Sequence, residues 1–208
     1  MKGLFHTDST LYRILSFIAD LVMLNLLALI CSIPIVTIGA VSTALIYSTE
    51  KLGKGDGALV TSFFHSFKQN FRQSTLLWVL LLLCAAAIGF CIVFCRLLGN
   101  VPILIVAIVA LVIWGAVSSW VFPLAAKFYF PTKSAFRNAA LCAIAYWPVS
   151  LVMIATNFLP FALLLYLPEA FFRVGFLWLL LWFSAAAFCN QQLLRQPFAT
   201  LAEQSHFD

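Results

Sequence analysis

Charged side chains are scarce in this sequence. Only 9% of its 208 residues are Asp, Glu, Lys or Arg, whereas 64% are hydrophobic. Soluble domains carry about 25% charged residues, so a chain this apolar cannot solvate its own surface, and lipid must replace water as its solvent. The apolar runs are continuous, which excludes a membrane β-barrel because barrel strands alternate apolar and polar residues. We therefore expect an all-α integral membrane protein.

Signatures of catalysis and of cofactor binding are also missing. The sequence has no His-Glu-x-x-His, no Gly-x-Ser-x-Gly and, within its apolar runs, no Gly-x-Gly-Asp pattern. The turn 53–57 lacks the spacing of a phosphate-binding loop. The six cysteines all lie in apolar runs without a Cys-x-x-Cys pair, which argues against a disulfide framework or a metal site. We expect no enzyme activity, no cofactor and no metal.

The net charge of +5 does not indicate a nucleic-acid partner. The basic residues are dispersed and flank apolar runs, where they act as topology signals. The first apolar run also lacks a small-residue cleavage site, so no removable signal peptide is expected. The lipid bilayer is thus the first partner that the composition predicts.

The apolar runs predict a single transmembrane domain, 1–208, with five to six membrane segments. The first run, 14–49, contains one charge, Asp20, and as one helix it would be about 54 Å long, too long for one span and slightly short for two. Pro34 and Gly39 predict a break near its middle. The predicted segments are 11–31, 35–50 (short or re-entrant), 75–96, 102–126, 138–160 and 174–193.

The distribution of Lys and Arg predicts the topology. If 35–50 returns the chain to its starting side, ten basic residues share one face and only Arg96 and Arg173 lie opposite. The positive-inside rule then places both termini in the cytoplasm. The ten are Lys2, Arg13, Lys51, Lys54, Lys68, Arg72, Lys127, Lys133, Arg137 and Arg195.

A periodic aromatic stripe predicts an amphipathic interfacial helix over about 59–72. Leu59, Phe63, Phe67 and Phe71 recur every four residues, and the other face is polar and weakly basic. Two interpretations stay open: packing on the inner membrane surface, or docking of a cytoplasmic partner. The docking residues would be Phe63, Phe67, Phe71, Lys68 and Arg72.

Polar residues within the first apolar run form the best candidate site. Asp20 lies nine residues after a helix start near Leu11, so about 14 Å deep. An isolated carboxylate there costs several kcal/mol or becomes protonated. It could be a proton- or substrate-linked group, or the partner of an interhelical hydrogen bond. The candidate substrate or structural polar site comprises Asp20, Asn25, Ser32, Pro34, Thr37 and Gly39.

The first 80 residues contain a distinctive set of short segments, at 1–5, 25–27, 32–40, 43–45 and 63–73, of which 32–40 reads Ser-Ile-Pro-Ile-Val-Thr-Ile-Gly-Ala. In these segments the chain resembles the YesL family of small bacterial membrane proteins of unknown function. Members of that family are often encoded beside subunits of ATP-driven carbohydrate importers. The resemblance therefore implies the bacterial plasma membrane, a role near carbohydrate uptake and importer subunits as partners. It implies no catalytic residue.

Three functions follow from these observations. The first is an accessory or permease-like component of carbohydrate uptake. The second is a membrane scaffold or sensor that docks a partner through residues 51–73. The third is a stand-alone proton-coupled carrier that uses Asp20 as its coupling group.

Overall fold

The computed structural model describes residues 10–53, 58–128 and 131–204, and every regular element in these ranges is a helix. The terminal residues and the turn at 54–57, on which the predicted topology partly depends, lie outside the described residues. The elements are α1 (Thr10–Cys31), a 3-10 turn (Ile35–Thr37), α2 (Ile38–Gly53), α3 (Leu59–Leu97), α4 (Val101–Lys127), α5 (Thr132–Ala145), α6 (Trp147–Tyr166), α7 (Pro168–Leu177), a π-helical turn (Trp178–Trp182) and α8 (Phe183–Gln204).

Four helices in the described part of the chain are long and apolar enough to cross a membrane. They are Leu11–Cys31, Leu59–Leu97, Val101–Lys127 and Trp147–Tyr166. The shortest has 20 residues, which corresponds to about 30 Å and so to the hydrocarbon core of a bilayer. The expected class, an all-α multi-pass membrane protein, is thereby confirmed.

Helices α1 and α2 form a hairpin around Pro34. The Thr37 hydroxyl lies 2.6 Å from the carbonyl oxygens of both Cys31, the last residue of α1, and Pro34, and its one proton is shared between them. The Pro34 carbonyl also accepts from the Thr37 backbone N–H at 2.9 Å. The indole N–H of Trp78 donates to the Ile35 carbonyl at 2.9 Å, which attaches the turn to α3. Since α3 continues to Leu97, about 28 Å of helix extends beyond this contact.

The interfacial helix predicted at 59–72 is not a separate element. It is the first part of α3, a continuous helix of 39 residues that also contains the predicted segment 75–96. No proline lies within α3, and its one interior glycine, Gly89, lies far beyond the predicted junction at 73–75. Nothing local therefore ends the helix at that junction.

The predicted segments 138–160 and 174–193 are both interrupted. The first is divided at Tyr146, whose φ of −113° and ψ of 46° are not helical. Pro148, in the first turn of α6, explains this break because it has no N–H to donate to the turn before it and its ring would clash with the carbonyl group four residues earlier. The second segment contains the π-helical turn and continues as α8 to Gln204.

Two clusters of buried side chains form the core. One joins α3, α4, α5, α6 and α8 around Trp120, Met153 and Leu194, which are all fully buried. The other joins α1, α2, α3 and α8 around Leu24 and Phe63. Members of both clusters line the cavity described next, which lies between them.

Candidate functional site: an uncharged internal cavity

A cavity of about 440 Å³ lies between the two core clusters. Its volume is in the range of small-molecule sites, about 300–1,000 Å³. Six helices line it, namely α1, α2, α3, α4, α6 and α8, and most of the lining side chains are apolar. None of the described residues that line it is charged. The polar lining residues are Ser32, Ser42, Ser118, Ser119, Asn157, Asn190 and Gln191, together with the indoles of Trp78, Trp114 and Trp182.

A chain of hydrogen bonds between neutral side chains runs along one wall and connects α4, α6 and α8. The Asn157 amide donates to the Ser119 hydroxyl at 3.3 Å. The side-chain amide of Asn190 donates to the side-chain oxygen of Asn157 at 2.9 Å. The Thr156 hydroxyl lies 2.9 Å from the side-chain oxygen of Asn190. Amides within apolar helices are costly unless paired, so this network fixes the relative positions of three helices.

Hydrogen bonds to the backbone fix two of the three tryptophan side chains that line the cavity. Trp114 donates its indole N–H to the Leu81 carbonyl at 3.0 Å, as Trp78 does to Ile35 at 2.9 Å. The Trp114 ring also packs on Phe158, with ring centroids 5.9 Å apart. Because both N–H groups already donate to backbone carbonyls, these indoles present mainly their apolar ring surfaces to the cavity.

The hydroxyl groups that remain are mostly acceptors. Ser42 donates to Ile38, and Ser118 and Ser119 both donate to Gly115, at 2.8–2.9 Å. Gln191 donates one of the two N–H bonds of its amide to the Ile46 carbonyl at 3.2 Å. A serine whose proton is engaged still has oxygen lone pairs, and the glutamine amide has a second N–H and its side-chain oxygen. The cavity therefore suits an uncharged ligand that can both donate and accept hydrogen bonds.

Of the predicted polar site, only Ser32 lines the cavity. Pro34 and Thr37 belong to the turn between α1 and α2, where they have the structural contacts described above. Asp20 is half-buried, lies outside the cavity lining and makes no hydrogen bond or ion pair with a described residue. Asn25 is fully buried, and its side-chain oxygen accepts a hydrogen bond from the backbone N–H of Ser184 at 3.0 Å.

Gly39 is explained by close helix packing. A Cβ at this position would overlap the carbonyl oxygen of Ser74 and lie 2.6 Å from Cβ of Trp78. One turn further along α2, Thr43 forms a 2.8 Å hydrogen bond with the Ser74 hydroxyl. The glycine thus permits the backbone of α2 to approach α3.

The predicted docking stripe is not a single exposed surface. Phe63 is fully buried in the protein's own core, and Phe67 is half-buried, whereas Phe71 is 37% exposed. Lys68 and Arg72 are exposed. Four residues turn a helix through about 400°, so a stripe of this spacing drifts by about 40° each time and passes from the core to the surface. Phe63 thus belongs to the core of the described fold, and docking through this stripe stays a prediction.

Sequence reasoning did not select the amides of the cavity as site residues. Asn157 follows Thr156 in the apolar run 138–168, and Asn190 is the first of three consecutive amide residues near the end of the run 174–194. Polar residues within apolar runs commonly face the interior of a helix bundle. That was the only signal in the sequence. Their pairing depends on how α6 packs on α8, which no local pattern reports.

The fold and the cavity together define a multi-pass α-helical membrane protein with an uncharged, partly open cavity between its helices. Residues 21–92 match the model of a family described as protein of unknown function, DUF624. The matched region begins in α1, includes the α1–α2 hairpin and ends near the end of α3. No curated protein and no solved structure matches the chain.

Proposed function

We propose that this membrane protein takes part in carbohydrate uptake across the bacterial plasma membrane, as a permease-like or accessory component that binds an uncharged carbohydrate in its cavity. The observation that carries the proposal is the neutral network of Ser119, Asn157 and Asn190 in an otherwise apolar cavity. A buried site with a few well-placed polar groups is the usual form of a small-molecule site.

The chemistry of a sugar complements this cavity. Each sugar hydroxyl can both donate and accept, so it can donate to the oxygens of Ser42 and Ser118 and pair with the second N–H or the side-chain oxygen of Gln191. The C–H faces of a sugar ring are apolar and can cover the fixed indoles of Trp78 and Trp114. A charged sugar would lose its hydration without gaining a counter-charge, which is strongly unfavourable. The proposal therefore specifies neutral sugars.

The proposed role is binding and passage of a solute, without catalysis. Hydrolysis of a glycosidic bond commonly uses two carboxylates, and the described lining residues include none. The proposal also includes the subunits of an ATP-driven importer as partners and both termini in the cytoplasm. The resemblance to the YesL family supports the importer subunits as partners, and the distribution of basic residues supports the position of the termini.

The other two functions have less support from the contacts. A carrier coupled through Asp20 needs that carboxyl group near its solute, yet Asp20 lies outside the cavity lining. A scaffold that docks through Phe63 needs the ring on the surface, yet Phe63 is fully buried.

Binding of neutral sugars to the protein in lipid nanodiscs tests the proposal. Isothermal titration with a panel of neutral mono- and disaccharides should find saturable binding. Replacement Asn157→Leu or Asn190→Leu should weaken it about tenfold, since each removes hydrogen bonds worth roughly 0.5–1.5 kcal/mol. Thr200→Val is the matched control because it removes the 2.7 Å bond to Tyr146 outside the cavity, and it should bind like the wild type.

Two results would contradict the proposal. One is the absence of saturable binding for every neutral sugar on the panel. The other is unchanged affinity in both asparagine variants. In cells, normal uptake of the bound sugar after deletion of the gene, under conditions that induce its expression, would argue against a role in import even if binding is found.

A further inference from the structure

The π-helical turn at Trp178–Trp182 lies next to the cavity. A π turn accommodates one more residue than an α turn and is frequently found at functional sites. Trp182, its last residue, and Phe183, the first residue of α8, both line the cavity. The conformation of this turn therefore decides which side chains form this part of the wall.

Asn25 holds the junction between the π turn and α8 from a different helix. Its side-chain oxygen accepts from the Ser184 backbone N–H at 3.0 Å, and both residues are fully buried. The Ser184 hydroxyl donates back to the Leu181 carbonyl at 3.1 Å. Helix α1 is further fixed to α8 by Phe17 and Phe188, whose ring centroids are 5.0 Å apart. Asn25 is thus presented to the junction from a well-anchored helix.

The register of this junction has a direct effect on the cavity. If the π turn became a regular α turn, residues on its N-terminal side would rotate by about 100° relative to α8, because one residue of an α-helix corresponds to that angle. Trp182, at the C-terminal end of the turn, would rotate through a smaller angle and shift along the wall, while Asn190 and Gln191 further along α8 would stay. The cavity would change its shape at this aromatic side chain and keep its polar groups.

We infer that Asn25 is a positioning residue for the cavity: its hydrogen bond to Ser184 keeps the π turn in register and thereby holds Trp182 and Phe183 against the bound solute. The inference rests on the proposed function only for the identity of the solute. The position of the wall is measurable without any ligand.

Hydrogen–deuterium exchange of the protein in nanodiscs tests the register directly. Asn25→Leu removes the acceptor, and we expect amide exchange in 178–186 to accelerate about tenfold, as for loss of one buried hydrogen bond. The affinity for the neutral sugar should fall by a similar factor. Asn25→Asp, which is expected to be protonated in this buried site, keeps a carbonyl oxygen and should retain most of both properties.

Thr43→Val is the matched control. It also removes a buried interhelical hydrogen bond, the 2.8 Å contact with Ser74, but this bond joins α2 to α3, and Thr43 is not among the lining residues of the cavity. Exchange in 178–186 should stay as in the wild type. Unchanged exchange there in Asn25→Leu, or an equal rise in both variants, overturns the inference. If the wild type binds no sugar, the proposed function fails while the exchange result still decides the role of Asn25.

Discussion

Gly39 permits the close contact between α2 and α3 because its side chain is a single hydrogen atom, where an alanine would have a methyl group. The Cβ of an alanine would overlap the Ser74 carbonyl oxygen, and a backbone atom cannot move aside as the end of a side chain can. Gly39→Ala should lower the free energy of unfolding by about 1–3 kcal/mol, the usual cost of overpacking. Reversible unfolding by dodecyl sulfate in mixed micelles measures the change.

Gly89→Ala is the matched control for this prediction. Gly89 is also a helical glycine, and nothing lies within 4 Å of the position that its Cβ would take. Alanine there should be neutral or stabilise the protein by up to about 1 kcal/mol, since a glycine within a helix is less favourable than an alanine. Equal effects of the two substitutions would show that the close packing at Gly39 is not required for stability.

At the scale of elements, α3 shows why a four-residue aromatic stripe is an uncertain guide to a docking surface. Phe63 is fully buried, whereas its neighbour Phe64 is 39% exposed. Phe63→Ala should therefore destabilise the protein by about 3–5 kcal/mol, and Phe64→Ala by about 1 kcal/mol or less. The same unfolding titration compares the two. A larger effect of Phe64→Ala would mean that α3 packs through the opposite face.

The sequence predicts those elements whose causes are local. Apolar runs predict the helices, and Pro34 accounts for the break after α1 because a proline cannot continue the hydrogen bonds of a helix. Pro148 has the same local cause and could have located the break at Tyr146. The π turn is different: it has neither proline nor glycine, and its support comes from Asn25, 159 residues away from Ser184.

The candidate site was less predictable than the fold because it is assembled from distant helices. Ser32 could be selected as a polar residue beside a helix break. The network of Ser119, Asn157 and Asn190 has sequence separations of 33 and 38 residues between its hydrogen-bonded pairs. A pattern of period 3.6 reports which face of a helix is apolar, but it does not report which helix that face meets.

At the scale of the whole molecule, α3 links the two sides of the membrane. Gln69 lies ten residues after the start of α3, and Leu98 is the C-terminal cap of this helix. Both residues are exposed, and they lie about 43 Å apart along the helix axis. That distance exceeds the hydrocarbon core of about 30 Å. The predicted topology, with most basic residues in the cytoplasm, places Gln69 inside and Leu98 outside.

Cysteine labelling in intact cells tests this topology in a variant without the native cysteines. A charged, impermeant maleimide should label Leu98→Cys from outside and should reach Gln69→Cys only after the cells are opened. Val36→Cys, in the exposed turn that contacts α3 well before its end, should resist the reagent in both conditions if the hairpin ends within the hydrocarbon. Labelling of Gln69→Cys in intact cells would contradict the predicted topology and indicate the opposite orientation. Labelling of Val36→Cys from outside would mean that α1 and α2 both cross the membrane.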